Sequence, residues 1–392
     1  MNFVQENMPQ KGDTVVVGLS GGVDSTLTAL LLKEKGCNVI GVTMSLWDGK
    51  LPDLSGGKPL HDSCYGPGEL TDIEECRSFC KAQGIEYHVI DVKETYRKEV
   101  LEYFKAEYRM GRTPNPCIRC NHSVKFGALL SGVQNLGLKF DYFCTGHYAK
   151  IVRPESGVFG SDVRPCMIHT ALDQSKDQTY FLYRVPSEIL EKVRFPLADM
   201  SKKEVFTLAR ERGLEAAERE ESQDFIPEEY FDLLFSDKPS IPGNIIDLDG
   251  KVLGKHRGIE HYTVGQRRGL GVSSTKPLYV HSIDAKNNLV VLADNDQLNS
   301  SSLIADDFVW PGNVEPKESF EALVKIRLAS RPVRVKVEKY VPSAEAGENF
   351  VGQPWRLTFF EEQRAVAPGQ SAVLYSEDGV IIGGGIIAKP LK

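Results

Sequence analysis

The stretch Thr14-Val-Val-Val-Gly-Leu-Ser-Gly-Gly-Val-Asp-Ser25 decides the fold of this chain. Its first half is a short β-branched run, which is typical of a buried strand. An apolar periodic stretch from Thr26 to Lys35, closed by Gly36, indicates a helix directly after it. Glycines between a strand and a helix allow backbone N–H groups to face phosphate oxygens at the helix N-terminus. The stretch therefore predicts a phosphate-binding loop in an α/β domain.

Two common classes of phosphate loop, the Walker loop and the dinucleotide-binding turn, do not fit this stretch. Gly22-Val23-Asp24 stands where a Walker loop has its Gly-Lys-Ser/Thr, and the glycine spacing does not fit a dinucleotide-binding turn. A plain glycine turn with no ligand is the alternative interpretation.

The rest of the chain shows two kinds of pattern. After the first helix, strands at 38–44, 86–92 and 141–145 alternate with helices at 71–83 and 93–109, which predicts a doubly wound parallel sheet. A capping box, Ser201-Lys-Lys-Glu204, begins a further helix that ends near Gly213. From about Asn244 short alternating runs between glycine turns predict antiparallel strands of small barrels. We expect a nucleotide domain at 1–215, a small central domain at 216–300 and a C-terminal β-barrel at 301–392.

Composition bounds the class of protein. The 392 residues are 41% hydrophobic and 26% charged, values near the globular average that exclude collagen-like, coiled-coil and wholly disordered chains. The N-terminus lacks the apolar core of a signal peptide, and no stretch is apolar for the ~18 residues that a membrane helix needs. Eight cysteines, all at or before Cys166, favour reduced thiols over a secreted disulfide framework. These features predict a cytoplasmic protein with no membrane contact.

A second motif, Gly111-Arg-Thr-Pro-Asn-Pro-Cys-Ile-Arg-Cys-Asn121, contains a C-x-x-C pair and two prolines that exclude a helix. Arg112 and Arg119 flank the thiols, and nearby cations lower the pKa of a thiol. Such a pair serves as a redox pair, a partial zinc site, an iron–sulfur site or two inert thiols. The chain has no second C-x-x-C, which disfavours a zinc finger.

The other cysteines give weaker signals. Cys76 and Cys80, four residues apart on a predicted helix, are expected to be buried small hydrophobes. Cys64 lies in a loop that can approach the site. The remaining three, Cys37, Cys144 and Cys166, are expected to lie in the core.

Positive charge is segregated, although the formal net charge of the chain is −7. Lys and Arg outnumber Asp and Glu in segments 92–125, 250–268 and 311–340, whereas segment 213–230 is acidic. Solvated charged faces explain most such runs. Three basic segments beside a nucleotide loop nevertheless suit contacts with RNA phosphates.

The sequence Ser20-Gly-Gly-Val-Asp-Ser25 resembles the signature of the PP-loop ATP pyrophosphatases, which implies cleavage of ATP between its α and β phosphates. In that resemblance Asp24 helps to hold Mg²⁺, and Met44 lies near the adenine, although a Met at a strand end is more often core. The ATP-binding residues that it implies are Gly18, Leu19, Ser20, Gly21, Gly22, Val23, Asp24, Ser25, Met44 and Gly146.

The chain as a whole is similar to one family, the tRNA-specific 2-thiouridylases. Motifs that carry the resemblance, besides the phosphate loop, include GRTPNP at 111–116, Asn121 with Val124-Lys-Phe126, TGHY at 145–148, KDQTYFL at 176–182, HYTVGQRRGL at 261–270 and PGQ at 368–370. The family implies adenylation of the C2 oxygen of the wobble uridine (position 34) of tRNA, followed by replacement of that oxygen by sulfur.

The resemblance assigns roles residue by residue. Cys120 matches the first catalytic cysteine, and Cys117 joins it and Asp24 as an expected catalytic residue. For His147 the alternative is a hydrogen-bonded core histidine at a strand end. The tRNA-binding positions that we expect are Asn115, Pro116, Cys117, His147, Lys176, Asp177, Gln178, Arg267, Arg268, Arg327 and Gln370.

Two positions depart from the family pattern. Cys117 replaces an aspartate that many members have, and Glu221-Ser-Gln-Asp-Phe-Ile226 lacks the second cysteine, which usually carries the persulfide. Either Cys117 serves as the lost persulfide or resolving thiol, or Cys117 and Cys120 hold an iron–sulfur cluster, a [4Fe-4S] cluster by analogy, with Asp224 or Cys64 as a further ligand. The second repair is slightly favoured.

The expected activity is therefore that of an ATP-dependent tRNA-uridine 2-sulfurtransferase that uses ATP and Mg²⁺. Its expected partners are tRNA with a wobble uridine and a sulfur donor, which is a cysteine desulfurase, a relay protein or free sulfide. One alternative is a PP-loop amidating ligase acting on a small acid. The other is a non-catalytic relative that binds tRNA or carries sulfur.

Overall fold

The computed structural model describes residues 2–50, 64–218, 225–226, 230–342 and 349–392. The chain divides into two compact units. The first contains residues up to 100 together with 117–233, and the second contains 101–116 together with 234–392. The chain thus leaves the first unit for 16 residues, returns to it and leaves again. The three predicted domain ranges stay predictions.

Among the described residues the helices and strands have the following bounds. The α-helices are α1 Val23–Glu34, α2 Glu69–Gln83, α3 Lys93–Tyr96, α4 Tyr103–Arg109, α5 Pro116–Arg119, α6 Leu129–Asn135, α7 Ser187–Leu190, α8 Lys202–Glu211 and α9 Phe231–Leu234. Arg97–Glu102 and Cys120–Ala128 are π-helices. The strands are β1 Phe3–Gln5, β2 Thr14–Gly18, β3 Asn38–Ser45, β4 Glu86–Asp91, β5 Tyr142–Cys144, β6 Lys150–Pro154, β7 Met167–His169, β8 Val193–Arg194, β9 Gly243–Ile246, β10 Val252–His256, β11 Tyr279–Asp284, β12 Leu289–Ala293, β13 Asn299–Val309, β14 Phe320–Lys325, β15 Val333–Lys339, β16 Trp355–Arg364, β17 Ser371–Tyr375 and β18 Ile381–Leu391.

The main sheet of the first unit is parallel and has the strand order β4-β3-β2-β5-β8. The order reverses between β2 and β5, so the connections that follow these two strands diverge. In such sheets ligands bind at the carboxyl ends of the strands, at the point of reversal. This confirms the predicted doubly wound sheet and sets the glycine loop after β2 at that point.

Burial explains why these segments form a sheet. Val15, Val16 and Val17 of β2 have no exposed surface, as expected for a strand with neighbours on both edges and helices on both faces. Cys76 and Cys80 on α2 are also fully buried and belong to the same apolar cluster. Their predicted role as small core hydrophobes is confirmed, and Cys37, Cys144 and Cys166 are buried as well.

Two helical predictions, the capping box at Ser201 and the helix 93–109, compare differently with the structure. The capping box at Ser201 is present, with the Ser201 side chain accepting from the Glu204 N–H and the Glu204 side chain accepting from the Ser201 N–H. The predicted helix 93–109 is helical throughout, but its middle third is the π-helix Arg97–Glu102. Propensity indicates a helix and does not distinguish i→i+4 from i→i+5 bonding.

The second unit contains two β structures. Strands β13-β16-β15-β14-β17-β18 close into an antiparallel barrel, as predicted for the C-terminal domain. The other sheet has the order β10-β9-β12-β11, in which β9 and β12 are parallel. The predicted strands β11 and β12 pair antiparallel as expected, whereas the parallel strand β9 was not named from the sequence. Alternating burial has period 2 in both kinds of sheet and does not distinguish them.

No helix in the described part of the chain combines the length and the apolar character that crossing a membrane requires.

Candidate active site

The glycine loop forms the turn from β2 into α1. Gly21 has a φ of 79°, which favours glycine, and Gly22 is the extended N-cap of α1. The loop is braced from within, because Ser25 Oγ accepts a hydrogen bond from the Ser20 N–H and donates one to the Gly22 carbonyl. The N-terminus of a 12-residue helix with a glycine cap is a suitable place for phosphate oxygens.

Gly146, which follows β5, packs directly against this loop. A Cβ at position 146 would lie 2.7 Å from the carbonyl carbon of Asp24 and 2.9 Å from the Ser25 nitrogen. No side chain fits there without moving the loop. Gly146 is therefore required for packing at the loop, and its predicted contact with ATP stays a prediction. Met44, which is only partly buried, lies at the carboxyl end of β3, at the same edge of the sheet.

The Asp24 carboxylate is held by two side chains from distant parts of the first unit. Lys202 Nζ donates to both oxygens, at 2.7 and 2.8 Å, and the Tyr148 hydroxyl donates to Oδ1 at 2.9 Å. Lys202 and Tyr148 are buried, whereas the Asp24 side chain retains 25% of its exposure. A partly exposed carboxylate beside a phosphate loop has the hard oxygen donors that Mg²⁺ prefers. The Asp24 carboxylate thus suits the predicted ion chemically, both of its oxygens also accept from Lys202, and its role as a Mg²⁺ ligand stays a prediction.

The segment Asp173–Gln178 lies beside Tyr148. Gln178 accepts from the Tyr148 N–H at 3.0 Å through its side chain and donates its own N–H to the Tyr148 carbonyl at 3.1 Å. Asp177 accepts from the Ala171 N–H at 3.0 Å. The side chains of Asp177 and Gln178 thus shape their own segment, and Lys176 beside them is half-buried. The tRNA contacts predicted for these three residues stay predictions.

His147 is held in one tautomer. Burial and the nearby Lys125 ammonium hold the pKa of His147 well below its usual range, so the ring is neutral. Lys125 Nζ, which can only donate, lies 3.4 Å from Nε2, and therefore the ring proton is on Nδ1, which donates to Thr145 Oγ1 at 2.7 Å. This is the geometry of the hydrogen-bonded histidine that was the alternative, and the predicted contact with the target base stays a prediction.

The C-x-x-C pair lies where the chain turns from α5 into a π-helix. Pro116 is the first residue of α5, the position at which proline is compatible with a helix. The expectation that the prolines exclude a helix was therefore wrong beyond Asn115. Cys120 begins the π-helix Cys120–Ala128, whose i→i+5 bonding brings Lys125 one turn after Cys120 on the same face.

Burial dominates the chemistry of these thiols. It raises the pKa of Cys117 to about 12, and the neighbouring Cys64 and Cys120 raise it further. Burial also raises the pKa of Cys120 to about 11, although Lys125 opposes the shift. Cys64, Cys117 and Cys120 are all close enough to the fully buried Tyr96 to raise the pKa of its hydroxyl. Three thiols thus lie within electrostatic range of Tyr96, and Lys125 lies within electrostatic range of the same three thiols.

The cation that lowers the pKa of both cysteines is Lys125, which was not among the cations expected from the sequence. The Arg112 guanidinium pairs with Glu107 at 2.7 Å. The predicted effect of Arg112 and Arg119 on the thiols stays a prediction.

Within the second unit the motifs at 111–116 and 368–370 meet. Gln370 Nε2 donates to the Thr113 carbonyl at 2.9 Å, and the Thr113 N–H donates to the Pro368 carbonyl at 2.8 Å. A Cβ on Gly369, whose φ is 91°, would lie 2.8 Å from the Thr113 nitrogen. Gln370 therefore positions the backbone just before Asn115 and Pro116.

The predicted arginines of the second unit differ in exposure. Arg267 and Arg268 are exposed. Arg327 is partly buried and donates to the carbonyls of Ala365 and Val264, so part of its guanidinium stabilises the fold. Their contacts with tRNA stay predictions.

The fit to an iron–sulfur cluster is weaker than the fit to Mg²⁺. Over the ranges that the structure describes, no three or more His, Cys, Asp or Glu side chains are grouped to hold a metal ion. Asp224, a predicted ligand, lies outside those ranges. We therefore derive no step through a cluster.

Comparison with known proteins agrees with this geometry. Family models match residues 13–227 (tRNA methyl transferase HUP domain), 232–294 (tRNA methyl transferase PRC-barrel domain) and 300–387 (aminomethyltransferase beta-barrel domain). The tRNA-specific 2-thiouridylase MnmA of Endomicrobium trichonymphae is 43% identical over 95% of this chain and 98% of its own length. MnmA 1 of Syntrophus aciditrophicus (strain SB) is 42% identical over 96% of this chain and 93% of its own length. The chain belongs to the tRNA-specific 2-thiouridylase family.

A solved structure with lower similarity is the U34-tRNA thiolase NcsA from Methanococcus maripaludis with its [4Fe-4S] cluster. It matches with a TM-score of 0.32 and 19% identity, over 57% of this chain and 65% of that chain. We draw no inference from a match at this level.

Sequence reasoning missed three residues of the site. Lys202 stood inside the capping box, Tyr148 inside the TGHY motif and Lys125 beside Val124 and Phe126. A buried lysine requires a carboxylate partner, and this rule would have directed attention to Lys202 once its position on the inner face of α8 was recognised.

Proposed function

We propose that this chain catalyses the ATP-dependent 2-thiolation of the wobble uridine of tRNA. The observation that carries the proposal is that one compact unit contains two features. The first is a phosphate loop with a carboxylate at the reversal of a parallel sheet, and the second is three thiols within electrostatic range of Tyr96. The phosphate loop suits adenylation of the uridine O2 oxygen, which is otherwise a poor leaving group. The thiols suit delivery of sulfur. The near full-length similarity to tRNA-specific 2-thiouridylases supports both parts.

Adenylation is the first step. The O2 oxygen of uridine attacks the α phosphorus of ATP, and pyrophosphate leaves with the electrons of the broken bond. Backbone N–H groups of the glycine loop orient the phosphates, and Asp24 would hold Mg²⁺, which offsets the charge that develops on the leaving group. The uridine then carries AMP at O2, which makes C2 open to attack.

Sulfur transfer is the second step. The terminal sulfur of a persulfide on one of the two motif cysteines attacks C2, and AMP leaves with the original oxygen. The thiol of the other cysteine attacks the inner sulfur, so the S–S bond to the base breaks and 2-thiouridine is released. Two electrons pass from Cys117 and Cys120 to the transferred sulfur, and the resulting disulfide needs a thiol reductant before the next cycle.

Lys125 supports this step through charge. A buried thiol loses its proton with difficulty, and the ammonium group one turn along the π-helix favours the thiolate. His147, neutral and bonded through Nδ1, fixes the position of that ammonium group.

The sulfur source distinguishes the persulfide mechanism from the cluster mechanism. A persulfide requires sulfane sulfur from a cysteine desulfurase or a relay protein, whereas a cluster with an open iron can use free sulfide. Anaerobic reconstitution with iron and sulfide, followed by assays for both, tests the cluster. Stoichiometric iron with sulfide-dependent thiolation would replace the persulfide step written above.

The decisive assay is the release of pyrophosphate from Mg-ATP in the presence of tRNA, together with detection of 2-thiouridine in digested tRNA. We expect both to require a wobble uridine. Release with ammonia and a small acid but without tRNA would indicate an amidating ligase. Binding of tRNA with no pyrophosphate release would indicate a non-catalytic relative. A tRNA substrate and buried thiols are consistent with the cytoplasm as its location.

A further inference from the structure

The Asp24 carboxylate is joined to the segment Asp173–Gln178 by two separate routes. In the first route the Tyr148 hydroxyl donates to Asp24 at 2.9 Å, and the backbone of Tyr148 exchanges two hydrogen bonds with Gln178, at 3.0 and 3.1 Å. Tyr148 therefore contacts the phosphate loop with its side chain and the end of the segment with its main chain.

The second route begins at the other end of the segment. Asp173 accepts from the Lys202 backbone N–H at 2.9 Å, and Lys202 Nζ donates to both oxygens of Asp24. Within the segment a turn begins at Asp173, since the Lys176 N–H donates to the Asp173 carbonyl at 3.1 Å. Asp24, Tyr148, the segment and Lys202 thus form a closed ring, in which hydrogen bonds join the four parts and the peptide backbone runs through the segment.

Two members of the ring are shielded from water, whereas the Asp24 side chain is 25% exposed. Tyr148 is 1% exposed and Lys202 is 7% exposed. The Lys202 ammonium also lies 5.5 Å from the centre of the Tyr148 ring and 5.0 Å from that of Phe206, so the two routes pack against each other. Hydrogen bonds in such an environment are stronger than in water, and a change at one is transmitted to the next by packed atoms.

We infer that Tyr148 and Lys202 are positioning residues that couple RNA binding at segment 173–178 to nucleotide binding at Asp24. The inference rests on the proposed function and on the tRNA contacts predicted for Lys176, Asp177 and Gln178, which make tRNA the ligand of the segment. It adds that the two substrates bind cooperatively and names the side chains through which they do so.

The sign of the coupling follows from the ring. A ligand at either end holds the ring in one arrangement and bears the entropy cost of ordering it, so that the second ligand binds an ordered site. Coupling between binding sites is reciprocal, and common values are 5- to 150-fold in affinity. Because this ring is short, we expect a value at the low end, about 5- to 10-fold.

The test measures binding and not turnover. The dissociation constant of α,β-methylene ATP with Mg²⁺ is measured by titration calorimetry, with and without a saturating unmodified tRNA transcript that has uridine at the wobble position. The variants are Tyr148→Phe, which cuts the first route, Lys202→Met, which cuts the second, and the double variant. Matched controls are Tyr142→Phe, at the opposite end of β5, and Lys203→Met, an exposed neighbour of Lys202.

We expect about 5- to 10-fold tighter nucleotide binding with tRNA in the parent and in both controls. Each single variant should have a smaller factor, and the double variant should have a factor below about 2. If the double variant fails to fold, as judged by circular dichroism, the two single variants decide. A parent that binds both ligands without coupling would overturn the inference and leave the proposed function intact.

Two other outcomes have a clear meaning. Full coupling in both single variants would also overturn the inference, because the ring would then be merely structural. A parent that binds the nucleotide but no tRNA would contradict the proposed function itself, and the inference with it. A tRNA dissociation constant that changes with nucleotide by the same factor confirms that the effect is true linkage.

Discussion

Replacing Asp24 tests the centre of the site and separates chemistry from stability. Asp24→Ala removes the carboxylate from the phosphate loop, and Asp24→Asn removes its charge but keeps an oxygen acceptor. Loss of a preorganised group that serves the charge on the departing phosphates commonly costs about 100-fold or more in rate. Both variants should therefore lose at least about 100-fold in tRNA-dependent pyrophosphate release.

The structure also gives a stability effect. Asp24 accepts three hydrogen bonds, two of them from the buried Lys202 ammonium. A hydrogen bond with a charged partner is worth about 1.5–3 kcal/mol, and the 25% exposure of the Asp24 side chain allows water to replace part of it. We expect Asp24→Ala to lower the free energy of unfolding by about 2 kcal/mol and Asp24→Asn by about 1 kcal/mol.

The assays are pyrophosphate release for chemistry and urea unfolding followed by circular dichroism for stability. Adding Lys202→Met to Asp24→Ala should recover part of the lost stability, because no ammonium is then left beside an apolar side chain, but it should recover no activity. A folded Asp24→Ala protein that consumes ATP at the parent rate would refute the assignment of Asp24. Unchanged stability in that variant would refute the importance of the ion pair.

Three further predictions concern other parts of the molecule. The affinity for tRNA should fall steeply with salt. Charge reversal at Arg267 and Arg268, or at Arg331 and Arg334, should weaken tRNA binding in a filter assay without changing ATP affinity. The second pair should have the smaller effect, because Arg334 already pairs with Glu377 at 2.9 Å. Unchanged binding in both double variants would place the RNA surface elsewhere. Cys117→Ala and Cys120→Ala should each eliminate 2-thiouridine formation. Cys76→Ala and Cys80→Ala should cost on the order of 1 kcal/mol in stability and retain 2-thiouridine formation. Full thiolation by Cys117→Ala would exclude both proposed roles of Cys117. Finally, burial raises the pKa of Cys76 from 9.0 to about 11 and that of Cys80 from 9.0 to about 12, so the stability that each neutral thiol contributes is complete below pH 9.0 and is lost as the pH rises towards these values. The urea midpoint of a Cys76→Ala, Cys80→Ala variant should consequently depend less on pH above pH 9 than that of the parent, and an identical slope would contradict the assignment.

The parts of the fold that could be predicted from the sequence depend on neighbouring residues. The strand, glycine loop and helix at 14–34 follow from local periodicity, and the Ser201 capping box spans only four positions. The alternation of short strands likewise predicted the closed barrel.

The parts that could not be predicted depend on distant residues or on weak preferences. Asp24 and Lys202 are 178 positions apart, and nothing near either residue indicates the other. The π-helix that begins at Cys120 differs from an α-helix by one residue in its bonding, a difference that tertiary packing decides. The sequence pointed to the neighbouring arginines as the cations that lower the pKa of the thiols, whereas in the folded chain Lys125 lowers it.

The division of the chain has a consequence for its synthesis on the ribosome. Residues 101–116 emerge early, yet their partners in the second unit begin at 234 and include Pro368 and Gln370, which emerge much later. At about 5–20 residues per second, roughly 10–50 s pass between the exit of Thr113 and that of Gln370. Before Phe235 emerges, the normally buried Phe104 of α4 lacks the ring that lies 6.4 Å from it in the folded unit. The nascent chain then exposes an apolar side chain of the kind that chaperones bind, and a fragment that starts at 234 would lack the hydrogen bonds of Thr113 with Pro368 and Gln370.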